Sequence, residues 1–418
     1  MAAQEGFRLT RRGVIGGVAV TATVGAASWA AVSLSDSGSQ IPQSATARGS
    51  QLALVPSRDQ TGAADSSAIT AAFSRGYGEV ILLPGTYFLG SPVTIPDDRT
   101  LSGCGTGTIL VPAKGISGAM VQFGGSNTMV RDLQVFGGSE TTSDNPVADV
   151  FAPSSGTIRW WICNVAVSYC NGWVLNPQPP VTPMHGSVYA IQGTNNVGGI
   201  RLAGGKSHGG QVNIGDVNLQ SCETNEALLL QDITDVAVSN FNASVIGQSA
   251  ASTVHVTGNC QAVTMNGINA GVMGSPGPEA AVLRVDVGAS GGSPSEIDFS
   301  GCIFQDGGVG VWVSEDASRL RFRGVIAKNN AGDGWRFDGT GSAILVDGCQ
   351  AIGNNGAGGT ASDVFVTSTA HVGLFAFAYA SPAVASSRQI VPANNNVTDA
   401  YSTSPGGRPT AGAAPRGW

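Results

Sequence analysis

Charge is scarce in this sequence. Asp, Glu, Lys and Arg together make up 12% of its 418 residues, too few for a long coiled coil or for a chain kept disordered by its own charge. Basic residues are outnumbered 21 to 28, and the formal net charge of −7 leaves no electrostatic footprint for nucleic acid. Lysine is nearly absent, with only Lys114, Lys206 and Lys328, so a lysine base is not expected. No two cysteines have zinc-finger spacing and the four histidines are scattered, which argues against a structural metal site. Glycine, by contrast, is plentiful at 60 residues and lacks the three-residue period of collagen. That combination calls for a folded, turn-rich architecture with many tight bends.

The N-terminus carries Arg11 and Arg12 ahead of an uncharged run over residues 13–35, a pattern that resembles a Tat-type export signal. Ala45-Thr46-Ala47 fits a small-x-small cleavage site. Residues 1–47 are therefore expected to be a signal peptide and the mature protein to be secreted. An uncleaved N-terminal anchor is the alternative, and membrane contact is expected only through this segment.

From residue 99 onward one short pattern recurs: apolar, any, apolar, any, then Gly, Asn or Asp, then usually an apolar residue. Its starts fall at Arg99, Thr128, Trp160, Tyr189, Val212, Val236, Val263, Ile297, Leu320 and Ile344. Repeats spaced this way indicate a solenoid, and the alternation makes it a β solenoid. The fifth position holds Gly103, Asp132, Asn164, Gly193, Asp216, Asn240, Gly267, Gly301, Gly324 and Gly348, residue types that tolerate the left-handed backbone of a sharp bend. The sixth points inward, with Thr194 as its exception. A second signature, as in Asn171-Gly172-Trp173 and Asp333-Gly334-Trp335, precedes another strand. Three short strands per coil over ten or eleven coils predict an all-β, single-stranded, right-handed parallel β-helix. Asp65-Ser66 and the residues to Ser74 read as a capped helix covering its first coil. Residues 48–380 form the β-helix domain on this reading, and 381–418 a flexible C-terminal tail.

Residues 58–111 (R-D-Q-T-G-A-A-D-S-S-A-I…G-E-V-I-L-L-P-G-T-Y-F-L…L-S-G-C-G-T) resemble the entry segment of the pectate lyase superfamily, in its rhamnogalacturonase/epimerase-like branch. The resemblance is close over this segment and only stylistic in the later coils. It implies the β-helix fold and a polysaccharide as partner. Lyases, hydrolases, epimerases and phage tailspikes all occur in that branch, so it leaves the activity open.

Seven cysteines are an odd number for an exported chain. Cys302 and Cys349 hold the same inward position two coils apart, roughly 9.6 Å at 4.8 Å per coil, beyond a disulfide's reach. With Cys104 they read as small core residues.

The resemblance implies that substrate lies along the strands that follow the Asn/Asp-Gly turns. Alternation turns Val174, Arg201, Leu229, His255, Arg284 with Asp286, Trp312, Arg336 with Asp338, and Phe365 outward there. Arginines bind carboxylates through a planar fork, and a tryptophan offers an apolar face to a sugar ring, so Arg201, Arg284, Asp286, Trp312, Asp338 and Phe365 are the expected substrate contacts for an acidic, uronate-containing glycan. Asp333 resembles the catalytic Asp of the Asn-x-Asp-Gly turn in polygalacturonase-like hydrolases, and Asp306, one coil earlier, is its candidate partner for paired-carboxylate hydrolysis. The equivalent position of the next coil is Ser362, and that family's Gly-His-Gly motif is missing. Elimination is the rival chemistry: Arg284, Arg336 or His255 would neutralise the uronate or abstract a proton, and a Ca²⁺-dependent lyase would draw ligands from Asp286, Asp306, Asp333 or Asp338. Asp333, Asp306, Arg336 and His255 are the catalytic candidates; no metal ligands and no certain cofactor are assigned. The competing function is a non-catalytic glycan-binding or tailspike-like rod, and the Pro-rich insertion at 176–187 leaves room for a homo-oligomer contact.

Overall fold

The computed structural model describes residues 50–403 apart from 155–156, 178–184, 205–208, 247–251, 278, 290, 315, 342, 356–361, 367–370, 381–389, 393–396 and 400–401. The expected export signal therefore lies outside the described residues, as do most of the Pro-rich insertion and His208. Among the described residues no helix is long and apolar enough to cross a membrane.

The chain winds into a right-handed parallel β-helix of about 11 turns. Each complete turn has a first strand, a one-residue bend, a second strand, a corner and a third strand. First and second strands pair coil to coil in a 22-stranded sheet creased along the bends, and third strands stack in a separate 12-stranded sheet. Every pairing between named strands among the described residues is parallel and joins successive coils, as in Trp160–Ser168 over Gly186–Thr194 over Gly210–Cys222. Alternation within each strand turns one set of side chains inward, where they stack into a single continuous core. Phe299 and Phe322 illustrate it, with rings stacked at 4.8 Å and 4° on adjacent coils.

The bends are made by isolated left-handed residues. Asp132, Asn164, Ala190, Asp216, Asn240, Gly267, Gly301, Gly324 and Gly348 all have φ between 50° and 65°. Two members differ from the expected list: Gly103 is not left-handed, and neither is Gly193. The coil expected to start at Tyr189 starts at Gly186, which pairs with Trp160 and Val212, so Ala190 rather than Gly193 makes the bend and Ile191 points inward. The exception at Thr194 disappears with this register. Gly186 escapes the apolar pattern because the buried Trp160 already fills its space; a Cβ there would lie 2.2 Å from the indole.

The first coils differ from expectation in two details. Helix α1 (Ala63–Ser74) is capped not by Asp65 and Ser66 but by Asp59, whose Oδ2 accepts the Ala64 N–H at 3.0 Å. Asp65 is buried and accepts the N–H groups of Ser57 and Phe88, which ties the helix to the first coil. Ile69, Ala72 and Phe73 complete the core at this end. Cys104, expected inside, is exposed. A short 3-10 turn at Gly105–Gly107 displaces it, and Thr108 enters the core with its hydroxyl donated to Leu82 O. Cys302 and Cys349 are buried as expected, and all seven cysteines are free. Within 381–418, three short strands (Ile390–Pro392, Val397–Asp399, Ser402–Thr403) continue the stack.

A buried asparagine column braces the corner before the third strand. Asn196, Asn330 and Asn354 are at most 1% exposed. Asn330 Nδ2 donates to Asn354 Oδ1 at 2.9 Å, and Asn354 Nδ2 donates to Ala327 O. A second asparagine ladder, Asn218, Asn242 and Asn269, stands in register on the exposed side.

Candidate functional site

The third sheet aligns the predicted column residue by residue. Arg201, Leu229, His255, Arg284, Trp312, Arg336 and Phe365 are consecutive partners on adjacent coils. Val174 does not belong to it. Leu175 pairs with Ile200, so Asn176 is level with Arg201, and Val174 is buried. Two residues further along each strand lie Asp286, Ser314 and Asp338, on three successive coils.

These side chains form one connected network. Arg284 Nε donates to Asp286 Oδ2 at 2.6 Å, and Arg336 Nε donates to Asp338 Oδ2 at 2.7 Å. The two Arg-x-Asp units bracket Trp312: the guanidinium carbons of Arg284 and Arg336 sit 4.9 and 4.6 Å from its ring centre. The indole N–H donates to Asp338 Oδ2 at 3.0 Å. Arg336 also lies 5.9 Å from the Phe365 ring. The outcome is an Arg–Trp–Arg–Phe stack, each cation–π contact contributing about 0.5–2 kcal/mol. Trp312 is only 8% exposed, so its faces serve the arginines and are not an open platform for a sugar. What the stack offers outward is the Nη edge of each guanidinium.

His255 occupies the next position. Its Nε2 is 2.9 Å from Asp286 Oδ1 and its Nδ1 3.2 Å from Glu226 Oε1. Burial alone would lower its pKa, but hydrogen bonds and charge from the two carboxylates outweigh burial and raise it to about 9. The ring is an imidazolium at neutral pH and donates from both nitrogens. Burial pushes Glu226 and Asp286 upward, yet their bonds to His255 dominate and hold both below the ordinary carboxylate range.

Glu226 was not among the sequence candidates. It sits on the corner before its strand, three residues ahead of Leu229, where alternation has not yet begun. The signal that would have found it is the column of Asp333: stepping through the register places Glu226, Ser252, Ala281, Val309 and Asp333 on one line. Asp149, in the same line at its N-terminal end, accepts the Trp173 N–H and an Asn176 amide N–H, and burial raises its pKa.

The two acids expected to pair are placed differently. Asp333 Oδ1 accepts the backbone N–H of Ser362 on the next coil at 2.6 Å, bracing the turn. Asp306 is exposed at the corner with φ 61°, and its N–H donates to the Lys328 carbonyl. Val309, not Asp306, is level with Asp333. The residues do not fit Ca²⁺, which takes about six to eight oxygen ligands. Asp286, Asp338 and Glu226 already accept from Arg, His and Trp donors, and the cations around them repel a second charge of the same sign. Among the described residues no group of three His, Cys, Asp or Glu side chains could hold a metal ion.

No protein-family model matches the chain, and no curated protein matches it. Solved structures do. The chain is similar to the A-module of the mannuronan C-5 epimerase AlgE4 of Azotobacter vinelandii, at 16% identity over 80% of this chain and 94% of that one, with a TM-score of 0.48. It is similar to an endo-xylogalacturonan hydrolase from Aspergillus tubingensis, at 13% identity over 86% and 100% of the chains, with a TM-score of 0.49. It is also similar to a PL6 alginate lyase in complex with a trisaccharide, at 11% identity over 85% and 89%, with a TM-score of 0.49. At these identities the likeness concerns the fold.

Proposed function

We propose that this protein is exported, binds an acidic polysaccharide along the outer face of the third sheet, and cleaves it there by elimination. The observation that carries the reading is the in-register column of cations Arg201, His255, Arg284 and Arg336 on a chain of net charge −7. Carboxylates on their own strands fix the Nε sides of Arg284 and Arg336, which aims the Nη edges at a ligand and leaves little ordering cost for binding. In this role Arg284 and Arg336 neutralise uronate carboxylates. In the elimination a solvent hydroxide takes the C5 proton, the C4–O bond breaks as the C4–C5 double bond forms, and His255, charged up to about pH 9, protonates the departing glycosidic oxygen. Hydrolysis by paired acids has less support, because Asp333 and Asp306 do not face one another and Glu226 and Asp286 are held ionised.

One observation favours a second reading, binding without cleavage. Glu226 and Asp286 are each engaged by a cation, and Asp338 by Arg336 and Trp312, so all three of these carboxylates are already occupied. Incubation with polygalacturonate, alginate and rhamnogalacturonan separates the two. An unsaturated, ultraviolet-absorbing product that disappears in His255→Gln supports elimination. New reducing ends without that absorbance would replace it with hydrolysis. Binding lost in Arg284→Ala/Arg336→Ala, with no product from any glycan, would leave the non-catalytic rod.

A further inference from the structure

The first strands carry a second exposed face that the third-sheet site does not use. On the strand Ser318–Arg323 three arginines, Arg319, Arg321 and Arg323, alternate outward. Two of them are paired: Arg319 Nη1 contacts Glu296 Oε1 at 2.9 Å, and Arg323 Nη2 bonds Asp298 Oδ2. The register places Asp298 directly beside Arg321, yet its carboxylate reaches diagonally to Arg323. Two groups are thereby left over. Arg321 is exposed and has no hydrogen bond or ion pair among the described residues. Asp298 Oδ1 is buried without a partner.

The two residues border one groove of about 510 Å³, lined also by Thr264, Glu296, Arg319 and Leu345. An open donor fork on a groove asks for a ligand with an acceptor that fits it; Asp298 Oδ1, closed to solvent, does not face the groove. The carboxylate of an acidic sugar supplies it by accepting from the Arg321 fork.

The groove is the charged end of a longer track. Towards the N-terminus its floor narrows to Thr264, Ala237 and Asn213, stacked in register and exposed. Beside them Tyr189 is 54% exposed and lies against Gly215 of the next coil, where a Cβ would come within 2.7 Å of its ring. Glycine lets that ring lie down on the sheet with its outer side open. An exposed aromatic, a floor of small side chains and a free guanidinium follow one another over five coil steps, roughly 24 Å at 4.8 Å per coil.

We propose that this face is a second saccharide-binding groove. It takes a linear acidic glycan that stacks on Tyr189 and is held by Arg321, and it does so independently of the third-sheet site. The test is calorimetric titration with polygalacturonate, alginate and hyaluronan oligosaccharides. In Arg284→Ala/Arg336→Ala, which disables the third-sheet face, binding of at least one of the three glycans persists. Adding Arg321→Ala weakens that residual binding tenfold or more, and adding Ala237→Trp, which fills the exposed floor without entering the core, abolishes it. Thermal melting confirms that each variant is folded. Absence of residual binding for all three glycans, or residual binding indifferent to both added changes, overturns the proposal.

Discussion

The guanidinium of Arg336 lies 4.6 Å from the centre of the Trp312 ring, and both residues donate to the same oxygen, Asp338 Oδ2. One carboxylate thus holds the cation on the ring and the ring under the cation. Trp312→Ala removes two cation–π contacts and a side chain that is 8% exposed, and is expected to cost about 3 kcal/mol or more. Trp312→Phe keeps a ring for both arginines and loses only the indole donor, for about 1 kcal/mol. Denaturant titration of the variants, with an Arg336→Ala/Trp312→Ala cycle, measures the coupling. Strict additivity of the two single changes would show that the stack is coincidental.

A second expectation follows from the charge on His255. Its folded pKa of about 9 lies above the ordinary 6.5, so the folded state binds its proton more tightly than the unfolded chain does. The stability this contributes is fully present below about pH 6.5 and is lost as pH rises through 9, with a ceiling of about 3 kcal/mol at 1.36 kcal/mol per unit. Melting temperature should therefore fall over that window in the wild type and not in His255→Gln. Identical pH slopes for the two proteins would contradict the imidazolium assignment, which an NMR titration of the ring protons reads directly.

The buried asparagine column separates two kinds of ladder by their cost. Asn330→Ala leaves a backbone N–H and a carbonyl partner of the column unsatisfied inside the corner, and is expected to destabilise by about 2–3 kcal/mol. Asn242→Ala removes an exposed amide bond to Asn218 and should change stability by no more than about 0.5 kcal/mol. Equal shifts in the two melting curves would mean that burial is not what gives the inner column its value.

The fold was legible because a strand alternates strictly and a bend restricts residue type. Those two rules were enough to align Arg201 with Phe365 across the third sheet. They failed where alternation is interrupted: Glu226 sits on a corner, and Cys104 is displaced by a 3-10 turn. They were also blind to choices made within a register. Whether Asp298 pairs with Arg321 beside it or Arg323 diagonal to it depends on rotamers, and so does the burial of Trp312 between two arginines. Gly186 misled for a different reason. Its small size answers a large neighbour, Trp160, one coil away, and such a pairing has no trace in local sequence.

The bend at Ala190 carries a strain that a substitution can relieve. Ala190 holds φ 53° in a column that is otherwise Gly, Asn or Asp except at Ala376, φ 48°. A left-handed backbone costs a residue with a Cβ roughly 1–2 kcal/mol, while glycine gives back part of this through its more flexible unfolded state. Ala190→Gly is therefore expected to stabilise the protein by about 0.5–1 kcal/mol, against the usual direction of an Ala→Gly change within a strand. Gly193→Ala provides the comparison. Gly193 does not make the bend, and a Cβ there would come 2.6 Å from the Leu219 side chain, so that change should destabilise through crowding. Gly193→Ala raising the melting temperature while Ala190→Gly lowered it would restore the bend to position 193 and shift the register of the whole coil by three residues.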